Sequence, residues 1–137
     1  MIIVEVYVDD IIFGSNDEKQ SKKIAAEMKN EFEMSMLGEL TFFLRLQFSQ
    51  FSKGIFISQN KYVKEILKKF NMEDCMLVCT PMIIDCKLSK EEEANEVDKK
   101  LYRSMIDNLL YVMTSRLDIM QSLGLVARFQ ATPEETH

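Results

Sequence analysis

The sequence has 137 residues, which suits one domain or part of one, and it is 47% hydrophobic and 28% charged. These globular proportions exclude a disordered or low-complexity chain. The net charge of −5 has the wrong sign for a protein that binds nucleic acid through its overall charge. Any such contact must therefore be local, and only residues 51–80 are net basic, with five basic against three acidic residues.

The sequence has no signal for a membrane span or for secretion. Neither an apolar run of roughly 18 residues nor a basic stretch before the first apolar residues is present. We expect an intracellular protein without a membrane partner, cytoplasmic (including a virus-like particle) or nuclear, with reduced and partly buried thiols. A zinc site is the poorer interpretation of Cys75, Cys79 and Cys86, because the only histidine is His137.

The first half of the chain alternates hairpins with a helix. Apolar and β-branched residues 2–8 and 11–13 flank Asp9-Asp10, which predicts a β-hairpin with two carboxylates at its tip. A capping-box spacing at Ser15 and a four-residue apolar repeat predict an amphipathic helix from about 17 to 34. Strict alternation from 40 to 49, then a turn at Lys53-Gly54, predicts a second hairpin.

The second half is predicted to be helical. Apolar residues between 62 and 70 mark one side of a helix whose other side carries four lysines: Lys61, Lys64, Lys68 and Lys69. Residues 73–98 show neither the helical nor the strand spacing of apolar residues. They are interpreted as a connecting loop, mobile in part, that includes the acidic run at 91–93. Beyond Asp98 the apolar spacing predicts two helices, broken near Ser115.

One constellation has a strong chemical interpretation, Tyr7-Val8-Asp9-Asp10 at the first hairpin tip. Two-metal phosphoryl transfer needs carboxylates that hold two Mg²⁺ ions about 4 Å apart. A tight turn can direct adjacent carboxylates into one cleft, because strand alternation lapses there. The alternative is that Asp-Asp is simply a solvated turn, since such a dipeptide often arises by composition.

The surrounding residues Tyr7 to Ser15 resemble the active-site hairpin of the reverse transcriptases of copia-type retrotransposons. The resemblance continues along nearly the whole chain in ordered blocks: Lys29 to Met34, Leu37 to Leu40, Phe42 to Leu44, Gly54 to Gln59, Tyr62 to Phe70, Thr80 to Met82, Tyr102-Arg103, Leu109 to Tyr111, Ser115-Arg116, Asp118-Ile119 and Ala127 to Phe129.

This resemblance implies an α+β fold: a partial polymerase palm of two β-hairpins and a helix at residues 1–60, then a thumb-like helical region at 61–137. It implies that Asp9 and Asp10 hold Mg²⁺ and that Tyr7 lines the site near the primer terminus. Nucleic-acid contacts would come from the primer-gripping hairpin, at Leu44 and Arg45, and from the lysines of the thumb helix. The implied partners are an RNA or DNA primer–template duplex and deoxynucleotides.

The sequence also departs from the family pattern. The family has Gly where this chain has Arg45 and Asp107, and Pro where it has Leu117, which suggests drift in a decayed copy. Because six residues precede Tyr7, we expect the fingers and a third metal-binding Asp to be missing, and the chain alone to be inactive. The hypotheses are therefore a polymerase fragment, an inactive remnant with at most weak duplex binding, or a small unrelated α+β interaction module.

Overall fold

The computed structural model describes residues 1–83, 86, 88–89, 95 and 97–137. Within them the chain forms five β-strands and four α-helices, and it divides into two compact units, residues 1–41 and 42–137. The predicted α+β class is confirmed. The division into palm and thumb at residue 60 remains a prediction, since these geometric units say nothing of function.

The first unit is a hairpin and a helix. Strands β1 (Ile2–Tyr7) and β2 (Asp10–Ser15) pair antiparallel, as predicted, and α1 spans Glu18–Glu31. The helix cap was wrongly assigned to Ser15: the Asp17 carboxylate accepts the Lys19 N–H, while Ser15 accepts the Asp17 N–H. None of residues 1–41 is buried, and four β1–β2 side chains remain more than 40% exposed: Ile3, Val4, Val6 and Tyr7.

The second unit begins with a three-stranded antiparallel sheet. Its strands are β3 (Phe42–Phe43), β4 (Leu46–Phe51) and β5 (Gly54–Ser58), paired in that order. The prediction of one unbroken strand from 40 to 49 is wrong. Leu44 and Arg45 form a two-residue turn between β3 and β4, because both take left-handed backbone angles, with φ of 46° and 63°.

Helices complete the second unit and supply its core. They are α2 (Asn60–Lys69), α3 (Lys99–Val112) and α4 (Met120–Val126), with short 3₁₀ helices at Leu117–Ile119 and Ala127–Phe129. The predicted break near Ser115 is confirmed. Tyr62 and Ile66 of α2 pack with Val112 of α3, so the apolar side of α2 faces inward as its spacing predicts.

The segment between α2 and α3 contains no helix or strand in its described residues, 70–83, 86, 88–89, 95 and 97–98. The acidic run at 91–93 lies outside the described part of the chain. Cys75, Cys79 and Cys86 are free, and all three are exposed, so the expectation of partly buried thiols is wrong. Within the described residues no helix is long and apolar enough to cross a bilayer.

Candidate functional site

The tip of the first hairpin is a two-residue turn that carries the first candidate residues. Tyr7 is the register partner of Asp10, so Val8 and Asp9 form the turn itself. Side chains of directly paired residues lie on the same face of a sheet. Tyr7 and Asp10 therefore share one face of the hairpin, and Asp9 follows Val8 at its tip. The sequence placed both carboxylates in the turn, whereas Asp10 already belongs to β2.

Helix α1 covers the opposite face of β2. Ile11 and Phe13 alternate with Asp10 along the strand, and they line a small cleft with Ala25 and Met28 of α1. The face that carries Tyr7 and Asp10 is thus the one turned away from α1. This arrangement leaves both carboxylates exposed, as an ion or a substrate would require.

Val8 has an unusual backbone at this tip. Its φ is 53°, the left-handed region, while Asp9 is not in that region. A positive φ at the first central residue alone is the pattern of a type II′ turn, a position that favours glycine. For a β-branched residue such a φ is a true outlier. The local strain therefore lies next to the two carboxylates.

The two carboxylates suit Mg²⁺ by their chemistry, since this ion prefers hard oxygen ligands and is commonly held by one or two carboxylates together with substrate phosphates. Asp9 and Asp10 are consecutive, exposed and on a short turn. Among the residues that the structure describes, no three His, Cys, Asp or Glu side chains come together as a metal site. The pair thus fits a partial ligand set.

The turn between β3 and β4 carries Leu44 and Arg45. Positive φ at both central residues defines a type I′ turn, for which Asn-Gly is the preferred sequence. Arg45 stands at the second position, where glycine would be unstrained. Its guanidinium carbon lies 5.0 Å from the centroid of the Tyr62 ring, within the range of a cation–π contact.

The four lysines of α2 do not all share one face. Lys61, Lys64 and Lys68 are spaced three and four residues apart and form one exposed stripe. Lys69 lies to the side of this stripe and donates to the Ser104 hydroxyl of α3 at 2.9 Å. The ammonium of Lys61 is 5.4 Å from the centroid of the Phe42 ring. We call Lys61, Lys64 and Lys68 the lysine stripe.

Sequence reasoning missed a polar network beneath the turn between β3 and β4. The Tyr62 hydroxyl donates to Asn108 Oδ1 at 2.9 Å, and the Tyr111 hydroxyl donates to the Leu44 carbonyl oxygen. Burial raises the pKa of Tyr62, and the nearby positive charge of Arg45 opposes this shift. The only sequence signal for Tyr111 was its place in a block that resembles the family.

The comparison with family models decides the identity. Residues 1–84 match the family described as reverse transcriptase (RNA-dependent DNA polymerase), a span that includes strands β1 to β5 and helices α1 and α2. The chain belongs to the reverse transcriptase family. Its relatives place it among the retrotransposon Pol polyproteins of the copia type.

Three relatives illustrate the similarity of this reverse transcriptase segment. It is 32% identical to the Pol polyprotein of transposon TNT 1-94 from Nicotiana tabacum over 99% of the chain, and 28% identical to that of transposon RE1 from Arabidopsis thaliana over its full length. It is 29% identical to an uncharacterized mitochondrial protein of Arabidopsis thaliana, over 93% of the chain and 53% of that protein. The chain spans 11% and 9% of the two polyproteins. No solved structure matches it.

Proposed function

We propose that this chain is the part of an RNA-directed DNA polymerase that binds catalytic Mg²⁺ and the primer–template duplex. The observation that carries the proposal is the first hairpin tip, where Asp9 is exposed in the turn and Asp10 shares with Tyr7 the face turned away from α1. Residues 1–60 act as the rear of the palm, and residues 61–137 act as the thumb. The protein works inside the cell, on an RNA or DNA template.

Asp9 and Asp10 are the proposed metal ligands. When bound, Mg²⁺ supplies the charge that activates the primer hydroxyl and stabilises the leaving oxygens of the nucleotide. The hairpin positions the two aspartates, because α1 packs against β2 and the paired strands hold the turn at a fixed place. Tyr7 lies across from Asp10 and lines the place where the primer terminus meets the incoming deoxynucleotide.

The duplex is held by the second unit. The exposed lysine stripe offers three point charges for phosphates, which gives affinity without reading base sequence. Leu44 and Arg45 form an exposed turn that contacts the primer strand, and Lys69 adds charge beside the stripe. A local basic surface of this kind lets a chain with a net charge of −5 bind nucleic acid.

Binding of a labelled RNA–DNA duplex, measured by fluorescence anisotropy at several salt concentrations, tests this function. A Lys64→Ala/Lys68→Ala variant is expected to lower affinity and to reduce the slope of log K against log salt by about 2, since each phosphate contact contributes about 0.9. The matched control is Lys22→Ala/Lys23→Ala, which removes two exposed lysines from α1. Equal losses in both variants would show binding through net charge alone and would contradict the proposal.

A second candidate is an inactive copy of such a polymerase. The observation that favours it is Arg45, which holds a left-handed position where the family pattern has glycine. Joining these 137 residues to the upstream palm and fingers of a related element separates the two functions. Primer extension by that chimera supports the active polymerase, and duplex binding without extension supports the remnant.

A further inference from the structure

Two tyrosines anchor the turn at Leu44 and Arg45, and they come from two different helices. Tyr111 of α3 donates its hydroxyl proton to the Leu44 carbonyl oxygen. Tyr62 of α2 lies beneath the Arg45 guanidinium, 5.0 Å away. Each central residue of the turn therefore has its own contact to the helical part of the unit.

The anchors are themselves fixed. Their rings meet edge to face, with centroids 5.1 Å apart, and the Tyr62 hydroxyl donates to Asn108. Gln59, only 3% exposed, donates from Nε2 to the Tyr111 carbonyl oxygen at 3.1 Å and accepts from the Ser115 hydroxyl at 2.6 Å. Buried polar groups with satisfied partners rigidify the structure around them. The two rings thus form a rigid base.

The turn needs such a base because its own structure is weak. Leu44 and Arg45 both take left-handed angles that cost energy for residues other than glycine. Strand β3 has only two residues, so few ladder hydrogen bonds hold that side of the hairpin. Strained conformations of this kind persist only where the surroundings fix them.

We propose that Tyr111 is a positioning residue that fixes the primer-contacting turn to α2 and α3, so that the turn and the lysine stripe bind the duplex as one rigid unit. This inference rests on the proposed function. Tyr111 acts through the Leu44 carbonyl and contacts no nucleic acid itself. Removal of the Tyr111 hydroxyl leaves the turn and the lysine stripe in place but loosens the turn relative to the stripe.

The test is Tyr111→Phe in the 137-residue chain, with two measurements. ¹⁵N relaxation measures the backbone order parameter S² of Leu44 and Arg45. We expect S² near 0.85, the value of a rigid backbone, in the unmodified chain and a fall toward about 0.6 in the variant. Affinity for the RNA–DNA duplex is expected to fall roughly three- to tenfold, the range for one lost hydrogen bond. Arg45→Ala, which leaves the core side chains unchanged, is the second variant and is expected to lower the same order parameters.

The matched control is Tyr102→Phe. Tyr102 lies on the same helix, and its hydroxyl also donates to a backbone carbonyl, that of Val126 at 2.7 Å. Tyr102→Phe removes the same kind of hydrogen bond at a site away from the turn. The order parameters of Leu44 and Arg45 and the duplex affinity should therefore stay as in the unmodified chain. A change in the turn equal to that of Tyr111→Phe would mean general destabilisation and would overturn the inference.

The remaining outcomes separate the inference from the function on which it rests. Unchanged order at Leu44 and Arg45 in Tyr111→Phe overturns the inference. Unchanged duplex affinity in Tyr111→Phe, with a loss in Lys64→Ala/Lys68→Ala, also overturns it and leaves the proposed function standing. Unchanged affinity in both variants overturns the proposed function as well.

Discussion

Tyr7 and Asp10 face each other across a turn of only two residues, and the first of these, Val8, has a φ of 53°. The side chain of Val8 is 80% exposed, so no packing compensates for this backbone conformation. A β-branched residue is poorly suited to the left-handed region. The pairing of β1 with β2 therefore holds the backbone at the candidate metal site in a conformation that Val8 by itself disfavours.

Val8→Gly is expected to stabilise the first hairpin by about 1 kcal/mol. Glycine takes a positive φ without steric cost, and this gain exceeds the entropy that glycine adds to the unfolded chain. Hydrogen exchange of the β1 and β2 amide protons measures the effect, with protection rising severalfold. The control is Val6→Gly inside β1, where glycine weakens a strand and protection should fall. Lower protection in both variants would contradict the strained turn.

Arg45→Gly is expected to raise the free energy of unfolding by up to about 1.5 kcal/mol. A glycine removes the steric cost of the left-handed backbone, a gain of about 1 to 2 kcal/mol. Loss of the contact between the exposed Arg45 guanidinium and the Tyr62 ring costs about 0.5 to 1 kcal/mol. Urea denaturation provides the measurement. Arg45→Ala loses the same contact and keeps the backbone strain, so it should destabilise. Glycine and alanine variants of equal stability would show that the backbone angle is not the reason for the family's glycine.

The sequence predicted what depends on local pattern. Apolar runs separated by polar residues were enough for the first hairpin, and the apolar side of α2 followed from its spacing. The turn at Leu44 and Arg45 was missed because neither residue has turn chemistry, so alternation continued through it without interruption. Tyr62 and Tyr111 hold that turn through tertiary contacts, and both residues lie 17 or more positions away from it in the chain, beyond the reach of a local pattern.

The two remaining departures from the family pattern behave differently. Asp107 lies in the interior of α3 at an ordinary helical position, so the structure gives no backbone reason for the glycine that the resemblance implies there. Leu117 is the first residue of a 3₁₀ helix, a position that suits the fixed φ of proline. The proline that the resemblance implies at this position would therefore fit the backbone observed here.

Alkaline pH is expected to destabilise the chain partly through Tyr102. Burial raises the pKa of Tyr102 above its ordinary value of 10.0. The folded chain then keeps this proton at a pH where the unfolded chain has lost it, so the stability that Tyr102 contributes is constant well below about pH 10 and is lost progressively as the pH rises through and above that value. Tyr102→Phe should lose less stability than the unmodified chain between about pH 9 and about pH 11 in thermal unfolding. Identical pH dependence of the two would refute this.

Asp9→Asn and Asp10→Asn test the metal site in a chimera of these residues with an upstream palm and fingers. Two adjacent carboxylates bind Mg²⁺ weakly by themselves, because the ion loses its water reluctantly and is normally held together with substrate phosphates. We therefore expect millimolar binding or none in the 137-residue chain, measured by titration calorimetry. In the chimera, Asp9→Asn should abolish nucleotide incorporation and Asp10→Asn should weaken it.

Duplex affinity should remain nearly unchanged in both variants, because phosphate contacts use the lysine stripe and metal chemistry uses the carboxylates. The control is Glu5→Gln, which removes a charge from the face that carries Tyr7 and Asp10, two residues back along β1. The rate of nucleotide incorporation by Glu5→Gln should stay close to that of the unmodified chimera. This variant lowers the negative charge near the site but removes no proposed metal ligand. If Asp9→Asn still extends primers at the full rate, the two aspartates are a solvated turn. A loss of extension in Glu5→Gln as large as in Asp9→Asn would instead attribute the effect to the charge of this face as a whole.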